Sequence, residues 1–428
     1  MRILIYSYNY YPEPIGIAPL MTELAEGFVK RGHQVRVVTG MPNYPERKIY
    51  DEYKGKFFLT EELNGVTVQR SYIYIKGSKP GVLDRLLLDG SFIVSSLWQA
   101  FNGWKPDVIF ATTPPILISL PVSFYGLFSN SSVVLNIQDI VSEAAVRVGL
   151  VKKDSWIVRI AQAVEKLAYL KAAKISVIAE DFVTNLVEQG VSPDRLVCIP
   201  NWVDLNFIRP LNKNNQFREE HNLQDKFVVV YSGNIALTQG LETVVKAAVS
   251  LKEKSEICFV ILGEEKARQQ LKECCDKYQA DNVLLLPLVP REKLPEMLSA
   301  ADIGLVIQKK TVTAFNLPSK IPVILASGRP IVASVPDTGT AIRVVSESGG
   351  GIVVTPEDSQ ALAEAILELY ENPEKLEQLG QQGRKYAEEN FGSKNALNSY
   401  EALFTEILNL KEEGRRKKKK GKRKEEEG

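Results

Sequence analysis

Two strand-to-helix turns in the second half of this 428-residue chain collect residue types suited to holding an anion. One reads Tyr231-Ser232-Gly233-Asn234-Ile235-Ala236-Leu237-Thr238-Gln239-Gly240, the other Leu317-Pro318-Ser319-Lys320. Glycine at a strand end lets a ligand approach the backbone, and a helix starting there presents unpaired N–H groups and partial positive charge. Gly233, Asn234, Gln239 and Gly240 therefore form a candidate diphosphate loop. A tight turn with close helix–sheet packing accounts for Gly240 by itself, but accounts less well for Asn234 and Gln239. Lys320 falls in the first turn of a predicted helix, where its charge opposes the helix dipole. An exposed lysine tolerates that position, whereas a bound diphosphate turns it into charge-assisted hydrogen bonds of about 1.5–3 kcal/mol each. Ser319 adds a hydroxyl and a candidate helix cap.

The first half carries a loop of a different kind. The segment Asn9-Tyr10-Tyr11-Pro12-Glu13-Pro14-Ile15-Gly16-Ile17-Ala18 follows the first strand, and Pro19 then opens a helix through Leu20, Leu24 and Phe28. A loop at the carboxyl end of a first parallel strand is the usual ligand crevice of such sheets, which makes Gly16 a ligand candidate. Asp139 ends a later strand. It either caps the segment that follows or orients and deprotonates an acceptor hydroxyl. Glu347, just before Gly349-Gly350-Gly351, is either a surface carboxylate or a contact to a ribose or sugar.

The elements that must position these residues repeat along the chain. Short Val/Ile-rich runs at 2–9, 35–40, 107–113, 133–139 and 175–179 alternate with helical segments, and a second series occupies 227–233, 257–263, 283–289, 303–308, 330–335 and 351–355. Continuous apolar strands separated by helices indicate parallel sheets covered on both faces. The fold class is α/β, with two doubly wound domains at 1–205 and 206–392. Ile199 to Asp204 and the polar stretch from Asn212 to Gln216 serve as the linker, with the boundary near Leu205. A last helix at 393–410 is free to pack on either domain.

Nearly equal numbers of basic and acidic residues leave a formal net charge of +1, so no global field favours nucleic acid. Cys198, Cys258, Cys274 and Cys275, with only His33 and His221, show no paired metal spacing, so no structural metal is expected. The amino terminus runs directly into a strand pattern, and the expected address is cytosolic. The tail at 411–428 is rich in lysine and arginine and almost free of apolar residues. It reads as disordered, either a solubilising end or an attachment to anionic lipid. From Val82 to Trp104 an apolar stripe through Leu83, Leu86, Leu87, Val94, Leu97, Trp98 and Phe101 faces away from Asp84, Arg85, Ser95, Gln99 and Asn102. That pattern fits a core-packing helix or one lying on a bilayer, and the apolar stretch at 115–128 reads as a buried helix beside it.

Taken in order, these motifs resemble the retaining, nucleotide-sugar-dependent glycosyltransferases of family four, in particular the bacterial branch that builds colanic acid, O-antigen and capsular polysaccharides. The resemblance extends from Met1 to about Leu410. It rests on Asn9-Tyr10-Tyr11-Pro12-Glu13 with Gly16, Arg31-Gly32-His33-Gln34-Val35, Met41-Pro42-Asn43-Tyr44-Pro45, Ile137-Gln138-Asp139, Pro200-Asn201-Trp202, the two turns above, and Ala326-Ser327-Gly328-Arg329-Pro330. It implies the GT-B fold, two Rossmann-like domains facing a cleft, with the donor on the second domain and the acceptor on the first. It also implies that Gly16, Gly233, Asn234, Gln239, Gly240, Ser319, Lys320 and Glu347 hold a nucleoside-diphosphate sugar, with no other cofactor and no metal. Glu13, Asn43, Tyr44 and Asp139 would then serve the acceptor side, and Asp139 and Lys320 the chemistry. The implied acceptor is a lipid-linked saccharide, met peripherally at the inner face of the plasma membrane through Val82–Trp104 and the basic tail. The sequence departs from the family where Asn234 and Gln239 replace basic residues. The paired glutamates of the family fall on Phe315 and Val323. Two rivals stay open, a nucleotide-sugar epimerase of similar twin-domain build and a non-catalytic sugar-nucleotide-binding protein.

Overall fold

The computed structural model describes residues 1–426 except 15, 45, 77–80, 102, 141–154, 234, 236–239 and 312–316, with the backbone alone at 82, 85, 157 and 418–426. The chain divides into two compact units, Met1–Ile199 with Ala396–Gly428, and Pro200–Asn395.

The first unit is an eight-stranded sheet. Its strands are β1 (Arg2–Tyr6), β2 (Gln34–Gly40), β3 (Phe58–Leu63), β4 (Val66–Ser71), β5 (Val108–Thr113), β6 (Ser132–Ile137), β7 (Lys174–Val177) and β8 (Leu196–Cys198), in the order β3-β4-β2-β1-β5-β6-β7-β8. Only the β3–β4 pair is antiparallel. Strands β5 and β6 are buried at every residue, as a sheet covered on both faces requires. Strand β1 pairs with β2 on one side and β5 on the other, so the strand order reverses there and the loop after β1 stands at the switch point.

The second unit repeats the plan with six parallel strands, β9 (Phe227–Ser232), β10 (Ile257–Gly263), β11 (Val283–Pro287), β12 (Ile303–Ile307), β13 (Ile331–Ser334) and β14 (Gly351–Val354), ordered β11-β10-β9-β12-β13-β14. Alternate residues of β9 supply two separate cores. Val228 and Val230 pack on one face, and Val229 and Tyr231 on the other. The order reverses between β9 and β12.

Five sequence expectations are decided or changed. The division falls at Pro200 rather than near Leu205, because the Val203 amide donates to Phe391 O at 2.8 Å and Arg384 reaches the Leu205 carbonyl, both within the second unit. The last helix belongs from Ala396 onward to the first unit, where Tyr400 packs edge-on against Phe110 and Phe404 against Phe28. That helix continues to Glu426 where disorder was expected; Lys, Arg and Glu are good helix formers, and the packed segment before them supplies the nucleus. The helix Val82–Ala100 buries Leu88, Phe92, Ser96 and Gln99 instead of its apolar stripe. Gln99 donates from Nε2 to Arg70 O at 3.1 Å, while Trp98 and Val94 stay exposed. The helix Ser119–Ser129, expected to be buried, exposes Phe124, Leu127 and Phe128. Among the described residues no helix is long and apolar enough to cross a membrane.

Candidate active site

The carboxyl edge of the second sheet, at its switch point, gathers two lysines against two glycines. Gly233 directly follows β9 with φ +130°, and a Cβ built on it would lie 2.8 Å from Lys320 Cε. Any side chain there displaces the lysine. Lys320 opens the helix Lys320–Ala326, folds inward, and donates from Nζ to the Tyr231 hydroxyl at 2.7 Å while sitting 3.9 Å from the centre of that ring. Tyr231 is fully buried, and its burial pushes the phenol well above its usual range. Burial acts in the opposite direction on the lysine and lowers its ammonium to about 8. Among the described residues no carboxylate lies within ion-pair distance of Lys320. A half-buried cation satisfied only by a neutral hydroxyl and a ring face is a site that gains from an anion.

A second cation packs on the other glycine of this sheet edge. Lys309 lies just past β12, and a Cβ on Gly240, which has φ +65°, would lie 3.0 Å from Lys309 Cγ. Sequence spacing gave no sign of Lys309, because it reaches the glycine loop only through the pairing of β12 with β9. A cavity of about 520 Å³ continues along the same edge at the ends of β13 and β14, lined by Lys310, Val335, Asp337 and Thr355 among others.

Other site expectations fare unevenly. Asn234, Gln239 and Phe315 lie outside the described residues. Ser319 is exposed at the start of its helix, but its side chain makes no cap bond. That helix has only seven residues, so its dipole is small beside the full charge of Lys320. Glu347 is misplaced as a donor contact. It sits in the last turn of the helix Thr340–Ser348, which leads into the amino end of β14, and so belongs to the edge opposite Gly233. There it is exposed and accepts from the Tyr386 hydroxyl at 3.3 Å.

In the first unit the loop after β1 is built around Glu13. Its Oε1 accepts from the backbone N–H of Asn43 and of Tyr44, each at 2.8 Å, and its Oε2 accepts from Asn9 Nδ2 at 2.6 Å. The carboxylate is buried, which raises its pKa, while these donors and the charge of Arg70 pull it back down. Glu13 therefore ties two loops together. The tie brings Tyr44 to 4.0 Å from a Cβ built on Gly16, and leaves Tyr44 and Tyr11 exposed. Asp139 stands past the end of β6 on the same edge, half-buried, its Oδ1 accepting from the Ile140 amide at 2.9 Å.

Twin doubly wound sheets, each with its strand order reversing beside a glycine-bearing strand end, have the build of the GT-B fold. Residues 16–202 match the family described as glycosyl transferase 4-like domain, and residues 212–386 match glycosyl transferases group 1. The chain belongs to this glycosyltransferase family. It is 31% identical to a protein named as a colanic acid biosynthesis glycosyl transferase, WcaI of Escherichia coli (strain K12), over 94% of this chain and 98% of that protein. Among solved structures, sucrose-phosphate synthase from Thermosynechococcus elongatus superposes with a TM-score of 0.71 at 16% identity, covering 96% of this chain and 100% of that one. Anabaena HepE in complex with UDP-glucose superposes with a TM-score of 0.69 at 15% identity, covering 95% of this chain and 100% of that one.

Proposed function

We propose that this enzyme transfers a hexose-type sugar from a nucleoside-diphosphate sugar to a hydroxyl of a lipid-linked saccharide, with retention at the anomeric carbon, in the assembly of a cell-surface polysaccharide. The observation that carries the reading is Lys320, a half-buried cation held against Gly233 at the switch point of the second sheet. Support comes from the fold shared with HepE, a protein solved with UDP-glucose, and from the kinship with WcaI.

The donor diphosphate lies across Gly233 and Gly240, with Lys320 on one side and Lys309 on the other. Asn234, Gln239 and Ser319 complete the cradle, and the neighbouring cavity offers volume for the rest of the donor. As the anomeric C–O bond breaks, negative charge grows on the diphosphate oxygen, and the two ammonium groups stabilise it. The acceptor oxygen forms the new bond to the anomeric carbon, and Asp139 orients that hydroxyl and takes its proton. Asn43 and Tyr44 line the acceptor side, in a shape held by Glu13. The enzyme works peripherally at the inner face of the plasma membrane, where its acceptor is anchored.

Calorimetric titration of the purified enzyme against uridine, guanosine and thymidine diphosphate sugars tests this. One of them should bind at micromolar strength and then label a lipid extract from the source membrane. Absence of binding across the panel overturns the reading. Binding followed by chemical change of the donor in the absence of acceptor would instead favour an epimerase.

A further inference from the structure

Three neighbouring helices of the first unit turn apolar residues away from the sheet. On Val82–Ala100 the exposed residues are led by Val94 and Trp98, on Ser119–Ser129 by Leu127 and Phe128, and on Trp156–Lys171 by Trp156. These five side chains are between 71% and 75% exposed. At 3.6 residues per turn, the exposed apolar positions on each helix fall within about a third of its circumference, so each presents a single stripe. The first two stripes are joined by rings. Phe101, just past the first helix, lies 5.9 Å from Phe124 and 5.8 Å from Phe128, and those two are 5.5 Å apart. A contiguous apolar patch made of several helices is far more than the single exposed side chains common on any protein surface.

Charge indicates what covers it. Helix Ser119–Ser129 carries no charged residue at all. On Trp156–Lys171 the exposed charges are Arg159, Lys166 and Lys171, which flank the apolar stripe, and the helix's single acid, Glu165, is buried. The acids of the first helix, Asp84 and Asp89, are half-buried, and Asp84 is occupied at the helix start by the Gly81 amide at 3.1 Å. Tryptophan, phenylalanine and leucine bordered by lysine and arginine are the composition of a helix lying in a bilayer interface.

We propose that these three helices form one bilayer-docking face. Trp98, Leu127, Phe128 and Trp156 enter the acyl boundary, and Arg159, Lys166 and Lys171 meet anionic headgroups. The face replaces the single helix and basic tail that the sequence alone suggested. It draws its purpose from the reading of a membrane-anchored acceptor, but stands on its own geometry.

The test is flotation of the full-length enzyme with vesicles of phosphatidylethanolamine and phosphatidylglycerol, without donor or acceptor. Wild type should float with them, and so should a chain lacking residues 415–428. A Leu127→Glu, Phe128→Glu double variant should lose at least tenfold in vesicle affinity, since two apolar side chains that would enter the acyl boundary are replaced by charges. Arg159→Glu with Lys166→Glu should weaken binding to these vesicles and leave binding to pure phosphatidylcholine unchanged. Donor titration of the Leu127/Phe128 variant should match wild type, which shows the fold intact. The proposal is overturned if the variant floats like wild type, or if deleting the tail abolishes flotation. It is also overturned if ultracentrifugation shows a dimer that the same substitutions dissolve and no vesicle binding. Failure of wild type to bind any donor would sink the transferase reading and leave this face standing.

Discussion

The loop after β1 in the first unit closes on the carboxylate of Glu13, and the end of β9 in the second, at Tyr231 and Gly233, packs against the ammonium-bearing side chain of Lys320. Both groups sit at the switch point of a parallel sheet and both are withdrawn from water. Their partners differ. Glu13 accepts from two backbone N–H groups and an asparagine amide, and Arg70, which donates to the Tyr11 carbonyl at 2.6 Å in the same loop, adds positive charge nearby. Lys320 has a neutral hydroxyl and a ring face, and no carboxylate within ion-pair distance among the described residues. A buried charge whose hydrogen bonds are complete holds structure in place. One left with neutral neighbours stores an affinity that a ligand of opposite sign releases.

That contrast is most directly broken at Lys320. Lys320→Ala removes charge-assisted bonds of about 1.5–3 kcal/mol each, and losing two of them lowers kcat/KM by at least about 100-fold. The melting temperature should hold or rise slightly, since a cation without an anionic partner is removed. Steady-state kinetics beside calorimetric melting checks both halves, and wild-type turnover would end the assignment. Glu13→Ala should do the reverse. Buried donors from Asn43 and Asn9 lose their acceptor, at a stability loss of about 2–3 kcal/mol in the first unit, while the donor dissociation constant stays within about twofold of wild type. An unchanged melting curve for that variant would mean the loop is held by something other than its carboxylate.

Much of this arrangement could be read from residue order. Uninterrupted Val/Ile runs gave all six strands of the second sheet and five of the seven parallel strands of the first, leaving out β4 and the short β8, and a glycine closing β9 marked the loop. Lys320 was visible because it follows Pro318 and Ser319 at a helix start. The hairpin β3–β4 was missed by a reading tuned to parallel strands, although Asn64-Gly65, both at positive φ, is the turn chemistry that signals one. Glu347 was placed near the donor because it precedes a run of glycines; chain direction, which puts it before β14 and not after β13, decides otherwise. Lys309 carries no local signature, since its position depends on a strand returning beside β9 from more than seventy residues away. The exposed face of Ser119–Ser129 was hidden for a related reason. A helix apolar on nearly every side looks buried until the neighbours that fail to cover it are known.

The titration of Lys320 sharpens the contrast further. Its ammonium is lowered to about 8 in the free enzyme, and a bound diphosphate stabilises the protonated form and raises that value. Below pH 8 the lysine is already charged, so its contribution to the donor dissociation constant should be flat. Above pH 8 binding must take up a proton, and affinity should fall by up to about tenfold per pH unit until the pKa of the complex is reached. Lys320→Arg should show no such decline, because guanidinium stays protonated throughout. A wild-type profile without an inflection near pH 8 would separate Lys320 from the diphosphate.

The smallest effect is expected at Lys309. It is half-buried like Lys320, but it meets Gly240 through its methylene chain, whereas Lys320 turns its Nζ to the Tyr231 hydroxyl. Lys309→Ala should raise the donor dissociation constant about threefold to tenfold, in line with one partly exposed charge pair, and the loss should shrink as salt is added. In the Lys309→Ala, Lys320→Ala double variant, the two effects should exceed or fall short of their sum if both cations address the same diphosphate, because each then changes the charge the other feels. Strict additivity at low salt would place Lys309 outside the donor site and leave Lys320 as its single described cation.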